Sequence, residues 1–390
     1  MNRRTFLAAT ASSAARVLGA NDRIRGAVIG AGGRGRYLTQ QFKEIGVEMA
    51  AVCDVYEPNL RKGLEVAATT AQGYANYERL LEDQSIDVVI VATPDHWHSR
   101  MVIDAVEAGK DVYVEKPMAH TIEEGFAVIE ATRRAGRIVQ VGTQRRSSPF
   151  FLEARSRMSE IGKVHLVNSW WLNYVTALRR TPLEGKLDWE RWLGPAPKRE
   201  LDPVRFRNWY YFWDYSGGML TGQGAHIIDA INMFMGSSFP SAVTCAAGRV
   251  NVDGAEIPET ASMSIEYPGN FLAVFTIGYK AMRYRWFNDQ LKQFHGTEAR
   301  LDVAREWYKL WPQSDDVPLR PSLEVDRAGS FEPATRAHIR NFLESVKSRR
   351  DPSATVEMGQ WTNVALCLAM ESIRAGRRLR FNQPTKRIEA

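Results

Sequence analysis

Hydrophobic and polar residues follow different patterns in the two halves of the chain. Between residues 24 and 144, short apolar runs alternate with stretches in which apolar residues recur every three or four positions. We predict strands at 24–29, 47–53, 87–92, 111–114 and 138–141, with helices between them. The run 87–92 is almost continuously Val and Ile, as in strands that helices cover on both faces. This βαβ repetition predicts an α/β fold with a doubly wound parallel sheet.

After residue 146 the apolar patterns indicate consecutive strands, which favours a largely antiparallel sheet. The predicted strands are 164–174, 242–250, 261–267, 271–278, 290–295 and 306–310. One helix, 225–234, interrupts the series, and two C-terminal helices are predicted at 335–347 and 356–375. The stretch 179–214 is rich in Trp, Tyr, Pro and Arg without a clear period, and such ordered excursions often line a site.

These patterns divide the chain into four parts. We predict a leader at 1–20, a nucleotide-binding domain at 22–145, an α/β substrate and oligomerisation domain at 146–330, and C-terminal helices at 331–390 that pack back on the body. Capping residues support one boundary: Thr121 and Glu124 form a capping box for a helix that Gly136 closes.

Charge and composition argue against some classes of partner. The net charge is +6, and Arg3, Arg4 and Arg16 supply three of these charges, which leaves +3 for the rest. This small excess argues against nucleic acid as a partner, and no apolar run is long enough for a membrane span. The three cysteines are widely spaced in apolar runs and are interpreted as buried thiols.

The N-terminal residues resemble a twin-arginine export signal. Arg3-Arg4 precede Phe6-Leu7, and small residues follow from Ala8 to Ala15. This pattern predicts a periplasmic protein, and the alternatives are a disordered tail and a cytoplasmic location. Because the twin-arginine route carries folded proteins and the periplasm has no free nicotinamide pool, export implies a tightly held cofactor.

A glycine-rich turn follows the first predicted strand and opens a helix. Gly30 suits a tight turn, Gly32 and Gly33 let the backbone approach a pyrophosphate, and Gly35 lets helix and strand pack closely. The helix N-terminus favours phosphate, and Arg34 adds a second positive group. This context predicts a Rossmann dinucleotide site.

Asp54 stands 19 residues beyond Gly35, at the end of the second predicted strand. A carboxylate there accepts hydrogen bonds from ribose hydroxyls and repels a 2′-phosphate, so NAD is favoured over NADP. NADP remains the alternative cofactor, because the Arg61 guanidinium is a candidate partner for a 2′-phosphate.

Further cofactor contacts are expected from Thr93, Pro94 and His98, where ligands collect at the carboxyl end of a strand. His96 and His98 have no third ligand cluster beside them, so no metal site is predicted.

Four motifs together resemble the Gfo/Idh/MocA oxidoreductase family, which includes glucose–fructose oxidoreductase and inositol dehydrogenase. The motifs are Gly30–Gly35, Thr93-Pro94 with His98, Glu115-Lys116-Pro117, and Gly217-Gly218 with Gly224-Ala225-His226. The resemblance implies a Rossmann domain followed by an α/β domain with an open sheet, often used to form a homodimer or homotetramer. It also implies NAD(P)-dependent oxidation or reduction of a ring hydroxyl on a sugar or cyclitol.

The same resemblance gives roles to individual residues. Lys116 is expected beside the nicotinamide and the reacting hydroxyl, where an ammonium stabilises alkoxide character. Glu115 is expected to pair with cofactor or lysine groups, and the bond before Pro117 is often cis in the family. His226 is the expected general acid/base.

The chain departs from the family pattern at Gly222, where many relatives have an aspartate that shares proton transfer with the histidine. Glycine cannot do this, so His226 acts alone, Lys116 takes the proton, or Tyr211 or Asp214 substitutes. Substrate contacts are expected from Gln144, Arg145 and Tyr211. Asp229 follows His226 by three residues and either orients the imidazole or forms a salt bridge.

Three functions remain open at this point. The first is a dehydrogenase for a sugar, glycoside or cyclitol. The second is a glycosidase or lyase that oxidises the sugar transiently, eliminates the substituent and reduces the product. The third is a sugar-binding protein that keeps NAD without catalysis.

Overall fold

The computed structural model describes residues 23–173, 177–279, 290–314 and 320–389. Within these residues two sheets form the framework, one in each domain. The predicted leader at residues 1–20 lies outside the described residues.

The N-terminal sheet has six parallel strands in the order β3-β2-β1-β4-β5-β6. The strands are β1 (Arg25–Ile29), β2 (Glu48–Cys53), β3 (Gln72–Tyr74), β4 (Val88–Val91), β5 (Asp111–Val114) and β6 (Val139–Val141). The strand order reverses between β1 and β4, so their carboxyl ends border the crevice where ligands bind in such folds. The doubly wound sheet is therefore confirmed, and β3 is an addition that its short, exposed sequence did not indicate.

Five helices connect these strands, at α1 (Gly33–Glu44), α2 (Glu57–Val66), α3 (Tyr77–Leu81), α4 (Asp95–Glu107) and α5 (Ile122–Ala135). The capping box at the start of α5 is confirmed: the Glu124 N–H donates to the Thr121 hydroxyl at 3.2 Å, and the Thr121 N–H donates to the Glu124 carboxylate at 3.2 Å. The helix ends at Gly136, whose φ of 61° is left-handed.

The second sheet contains ten strands, of which the central pair is parallel and the others pair antiparallel. The strands are β7 (Leu166–Leu172), β8 (Ala242–Ala247), β9 (Thr260–Tyr267), β10 (Phe271–Gly278), β11 (Gln290–His295), β12 (Ala299–Val303), β13 (Trp307–Pro312), β14 (Leu323–Asp326), β15 (Leu379–Asn382) and β16 (Arg387–Glu389). The parallel pair is β7 with β10, and the strand order is β14-β13-β12-β11-β7-β10-β9-β8-β15-β16. The strands β15 and β16 were not predicted, because the helices were expected to close the chain.

The α-helices after β6 are α6 (Pro149–Ser156), α7 (Trp189–Leu193), α8 (Pro203–Arg207), α9 (Gly218–Met235), α10 (Ala334–Ser348) and α11 (Val356–Ala375). Of these, α9 and α11 pack against the second sheet. Helix α9 begins seven residues before the predicted start at residue 225, although its first turns contain three glycines. Burial of nearly every residue of α9 outweighs the poor helix propensity of glycine.

The C-terminal helices do not form a separate layer. Helix α10 packs on the N-terminal domain, where Phe342 meets Phe42 and Tyr113 with ring centroids 6.2 and 6.0 Å apart. Residues of α10 and α11 therefore contribute to the cores of different domains. None of the described helices is long and apolar enough to cross a membrane.

Candidate cofactor and active site

The glycine turn has the geometry of a phosphate cradle. Gly30 has a φ of +89°, and a Cβ there would lie 2.7 Å from the Ala92 carbonyl oxygen. A Cβ on Gly35 would lie 1.8 Å from the Gly30 carbonyl oxygen, because α1 approaches β1 closely. A Cβ on Gly32 or Gly33 would meet nothing within 4 Å, and both glycines line a cleft. Their exposed backbone at the start of α1 fits a pyrophosphate.

Asp54 lies beside this turn, at the carboxyl end of β2. Its carboxylate accepts hydrogen bonds from the Ala31 N–H and the Tyr56 N–H, each at 2.8 Å. Burial raises the pKa of Asp54 to about 6, and the two backbone donors oppose this rise. Asp54 lines the cleft, whereas Arg61 is exposed and does not line it. The arrangement fits ribose hydroxyls better than a 2′-phosphate.

The cleft has a volume of about 470 Å³ and two walls. One wall comes from the glycine turn, Asp54, Thr93 and Pro94. The other comes from the aromatic excursion, whose lining residues are Arg179, Arg191, Trp192, Phe206, Arg207 and Trp209. The predicted location of the excursion at a site is thus matched by its place over the cofactor cleft.

Residues 184–216, called here the covering segment, attach to the N-terminal domain on both sides of the cleft. On the β2 side, the Asp188 N–H donates to the Val55 carbonyl at 3.0 Å, and the Glu57 N–H donates to the Lys186 carbonyl at 2.9 Å.

On the α4 side, the Trp97 indole N–H donates to the Trp192 carbonyl at 2.8 Å. The Ser216 hydroxyl donates to the Asp95 carboxylate at 2.7 Å. These contacts hold the covering segment across the cleft from both edges.

Glu115 and Lys116 follow β5 at the same edge of the sheet. Glu115 is buried, and its carboxylate pairs with the Arg34 guanidinium at 2.7 Å. Arg34 also lines the cleft, so its charge is shared between Glu115 and the phosphate region. Lys116 is partly exposed, and burial lowers the pKa of its ammonium against the opposing effect of Glu115 and Asp95. The Lys116-Pro117 bond is cis, as the family resemblance implied.

His98 lies behind the wall of the cleft. Its Nδ1 is 2.6 Å from the Pro117 carbonyl oxygen, and its Nε2 is 2.9 Å from the Thr93 carbonyl oxygen. It joins the start of α4 to the turn that carries Lys116. His98 itself does not line the cleft.

His226 lies on the accessible face of α9. Most residues of this helix are buried, whereas Met219, Gln223 and His226 are partly exposed at a spacing of four and three residues. Burial lowers the pKa of His226 well below its ordinary value, and the nearby charges of Lys116 and Arg145 lower it further. The imidazole is thus neutral at neutral pH.

Neither predicted substitute for the missing aspartate stands beside Gly222. Asp214 pairs with Arg199 at 2.7 Å, and Tyr211 is buried in the apolar cluster of the covering segment. The neighbour of Gly222 is Tyr210, whose hydroxyl donates to the Gln223 side-chain oxygen at 2.6 Å.

The predicted substrate residues have separate surroundings. Arg145 donates to the His226 carbonyl at 2.8 Å and packs against Phe151 and Trp171, so it braces α9. Asp229 pairs with Arg146 at 2.7 Å, both buried, which supports the salt-bridge alternative over the orientation of His226.

Among these residues, Gln144 is the best suited to bind a ligand directly. It is 7% exposed, and its side-chain oxygen has no hydrogen-bond partner in the described part of the chain. Because buried amide oxygens are normally paired, Gln144 is suited to a substrate hydroxyl.

The sequence analysis missed Asp95, a buried carboxylate at the first position of α4. Its charge acts on both Lys116 and Tyr210, which places it in the same polar cluster. The available indication was its position directly after β4, at the carboxyl edge where ligands collect. Among the described residues, no group of three or more His, Cys, Asp or Glu is arranged to hold a metal ion.

The cleft, the glycine turn and Asp54 define an NAD-binding oxidoreductase of the Rossmann type. A family model described as "Oxidoreductase family, NAD-binding Rossmann fold" matches residues 24–143. The model of the GFO/IDH/MocA C-terminal domain matches residues 152–302. Because the two models together cover more than half of the chain, the protein belongs to the Gfo/Idh/MocA oxidoreductase family.

Two individual relatives share modest sequence identity with this chain. The uncharacterized oxidoreductase YrbE of Bacillus subtilis (strain 168) is 25% identical over 361 residues, which cover 90% of this chain and 94% of YrbE. The alpha-N-acetylgalactosaminidase of Shewanella oneidensis is 35% identical over 120 residues, which cover 28% of this chain and 26% of that enzyme. This second match therefore spans about a quarter of the galactosaminidase.

Among solved structures, the WlbA dehydrogenase from Bordetella pertussis, in complex with NADH and UDP-GlcNAcA, aligns with a TM-score of 0.72. The alignment covers 93% of this chain and 99% of WlbA at 15% sequence identity. At this identity the similarity establishes the fold alone.

Proposed function

We propose that this protein is an NAD-dependent dehydrogenase that acts on a ring hydroxyl of a sugar, glycoside or cyclitol and keeps its cofactor tightly bound. The observation that carries the proposal is the position of the partly exposed Lys116 directly after β5, with the partly exposed His226 on the accessible face of α9 close enough to respond to its charge. Lys116 stands at the carboxyl edge of an NAD-binding sheet, where the reactive end of the cofactor belongs.

The residues divide the chemistry between them. When bound, the nicotinamide ring accepts or donates the hydride of a carbon that bears the hydroxyl. Lys116 donates a hydrogen bond to the substrate oxygen and stabilises its developing negative charge. His226 accepts the hydroxyl proton in oxidation and returns it in reduction. Gln144 accepts a hydrogen bond from a second hydroxyl of a polyhydroxylated ring.

The covering segment supports a resident cofactor. It contributes three aromatic residues and two arginines to the cleft and is hydrogen-bonded to the N-terminal domain on both sides. A bound dinucleotide would leave only after these contacts open, so slow release is expected.

The test begins with the purified protein. Mass spectrometry of the denatured protein should detect NAD or NADH, and sugars, cyclitols, anhydrosugars and nucleotide sugars should be screened for reduction of the bound nucleotide by absorbance. Lys116→Ala should abolish this reduction. Lys198→Ala, which removes an exposed ammonium of the covering segment, is the matched control. Undiminished reduction in Lys116→Ala would refute the assignment.

The second candidate is cleavage of a glycoside through transient oxidation, elimination and reduction. Two observations support this second candidate: the partial similarity to an alpha-N-acetylgalactosaminidase and the glycine at position 222. Cleavage of nitrophenyl glycosides without added NAD, but lost after the nucleotide is removed, would distinguish it from a dehydrogenase. Sugar binding with no change of the nicotinamide spectrum under any substrate would instead indicate a non-catalytic binding protein.

We also propose export by the twin-arginine route and assembly into a homodimer or homotetramer through the open sheet. Replacement of Arg3 and Arg4 by Lys should leave the protein in the cytoplasm of a bacterial host, as measured by fractionation. Light scattering of the purified protein gives its oligomeric state, and a monomer would contradict the assembly.

A further inference from the structure

The hydroxyl of Tyr210 lies where a side chain at position 222 would begin. A Cβ built on Gly222 would lie 1.3 Å from Tyr210 Oη and 2.3 Å from its Cζ, and the three nearest heavy atoms all belong to Tyr210. A side chain at position 222 and the Tyr210 hydroxyl would occupy the same volume. The phenol can therefore reach α9 only because residue 222 is glycine.

Helix geometry relates this oxygen to His226. Residues four apart lie on one face of a helix, with Cβ atoms about 5–6 Å from each other. Side chains also lean toward the helix N-terminus, so the imidazole of His226 extends toward position 222. Tyr210 Oη therefore lies on the face of α9 that carries His226, at a separation that one water can bridge.

The hydrogen bond that Tyr210 donates determines that its oxygen acts as an acceptor toward other groups. Its O–H donates to Gln223 Oε1 at 2.6 Å, so the phenol proton is already engaged. The lone pairs of the oxygen are then available to accept a hydrogen bond from a water. Burial, together with the negative charge of Asp95, raises the pKa of Tyr210 well above its ordinary value, so the phenol stays neutral.

We propose that Tyr210 is a positioning residue for His226: through one bridging water its oxygen holds one imidazole N–H, which leaves the other ring nitrogen unprotonated toward the substrate. In oxidation, that nitrogen takes the proton of the substrate hydroxyl and the ring becomes imidazolium, while Tyr210 remains a neutral acceptor. In reduction, the same proton returns to the substrate oxygen. This role rests on the proposed dehydrogenase function for its catalytic meaning, but not for its structural test.

The test that needs no substrate is the tautomer of His226. Holoprotein labelled with nitrogen-15 in histidine should show one dominant His226 tautomer by NMR, with the signals assigned by their loss in His226→Asn. Tyr210→Phe keeps the ring and removes the oxygen, so it should give a mixture of tautomers. Tyr215→Phe, which removes a buried phenol oxygen of the same covering segment, should leave the spectrum unchanged. An unchanged tautomer in Tyr210→Phe would overturn the proposal.

A rescue variant separates positioning from folding. Tyr210→Ala should lose the fixed tautomer, and Tyr210→Ala combined with Gly222→Asp should restore it, because the vacated volume then holds a carboxylate one turn before His226. Failure of this restoration in a double variant with wild-type melting behaviour would also count against the proposal.

Kinetics then connect the positioning to turnover. With a sugar that reduces the bound cofactor, Tyr210→Phe should lower kcat about tenfold, as expected for one lost neutral hydrogen bond, and change KM less than about threefold. If no sugar reduces the cofactor, the proposed function fails while the tautomer result still decides the role of Tyr210. If turnover occurs but kcat is unchanged in Tyr210→Phe, the role of Tyr210 fails while the function stands.

Discussion

Asp54 makes cofactor affinity depend on pH in a range where most carboxylates do not titrate. Its pKa is about 6 without nucleotide, because burial outweighs the hydrogen bonds from Ala31 and Tyr56. Ribose hydroxyls donate to the ionised carboxylate, so binding lowers this pKa. Affinity is therefore complete above pH 6 and is lost as the pH falls through 6.

The magnitude follows from the ionised fraction. With a pKa of about 6, Asp54 is about 90% ionised at pH 7 and about 10% ionised at pH 5. The dissociation constant should rise about tenfold between these two values if only the ionised form binds. Asp54→Asn should remove this slope and weaken binding at pH 7 by roughly 10- to 100-fold, since charge-assisted hydrogen bonds are lost.

The assay is calorimetric titration of the nucleotide-free protein with ADP-ribose between pH 5 and 8. ADP-ribose avoids Lys116 and His226, whose own titration would complicate binding of the whole cofactor. Unfolding in urea, removal of the nucleotide and refolding should provide the nucleotide-free protein, and Asp351→Asn, at an exposed pair with Arg133, is the control. A flat affinity in the wild type, or an equal slope in Asp54→Asn, would refute the reasoning.

Three further predictions follow from contacts already described. Gly35→Ala should prevent stable folding by thermal melting, because its Cβ would lie 1.8 Å from a backbone carbonyl oxygen, whereas Gly33→Ala should fold normally and weaken ADP-ribose binding. Asp229→Ala should lower the free energy of unfolding in urea by about 3–5 kcal/mol, since it leaves the buried Arg146 unpaired; a loss below about 1 kcal/mol would contradict this. Removal of the Thr121 hydroxyl in Thr121→Ala should cost about 1 kcal/mol in the same assay through the lost cap of α5.

The cofactor domain could be predicted from sequence because its information is local. Its longer strands are fully buried apolar runs, and the glycine turn lies between a strand and a helix at a fixed spacing from Asp54. Helix α9 was harder, since the glycines at its start oppose helix formation and only burial against the sheet compensates for them.

The covering segment and the role of Tyr210 could not be predicted in this way. The covering segment has no period because backbone hydrogen bonds to Val55 and Glu57, more than 120 residues earlier, hold its first part. Sequence reasoning identified the glycine at 222 but considered Tyr211 and Asp214 as substitutes. The path of the aromatic excursion over α9 determines which side chain fills the volume beside Gly222. No pattern in the sequence indicates that path.

Helix α10 gives the nucleotide-binding domain a discontinuous sequence. Ile339, Phe342 and Val346 are buried in the same core as Phe42 and Tyr113, on the face of the sheet covered by α1. During synthesis on the ribosome, residues 23–145 emerge long before the helix that completes their core. The cofactor domain can therefore reach its final packing only when the chain is nearly finished.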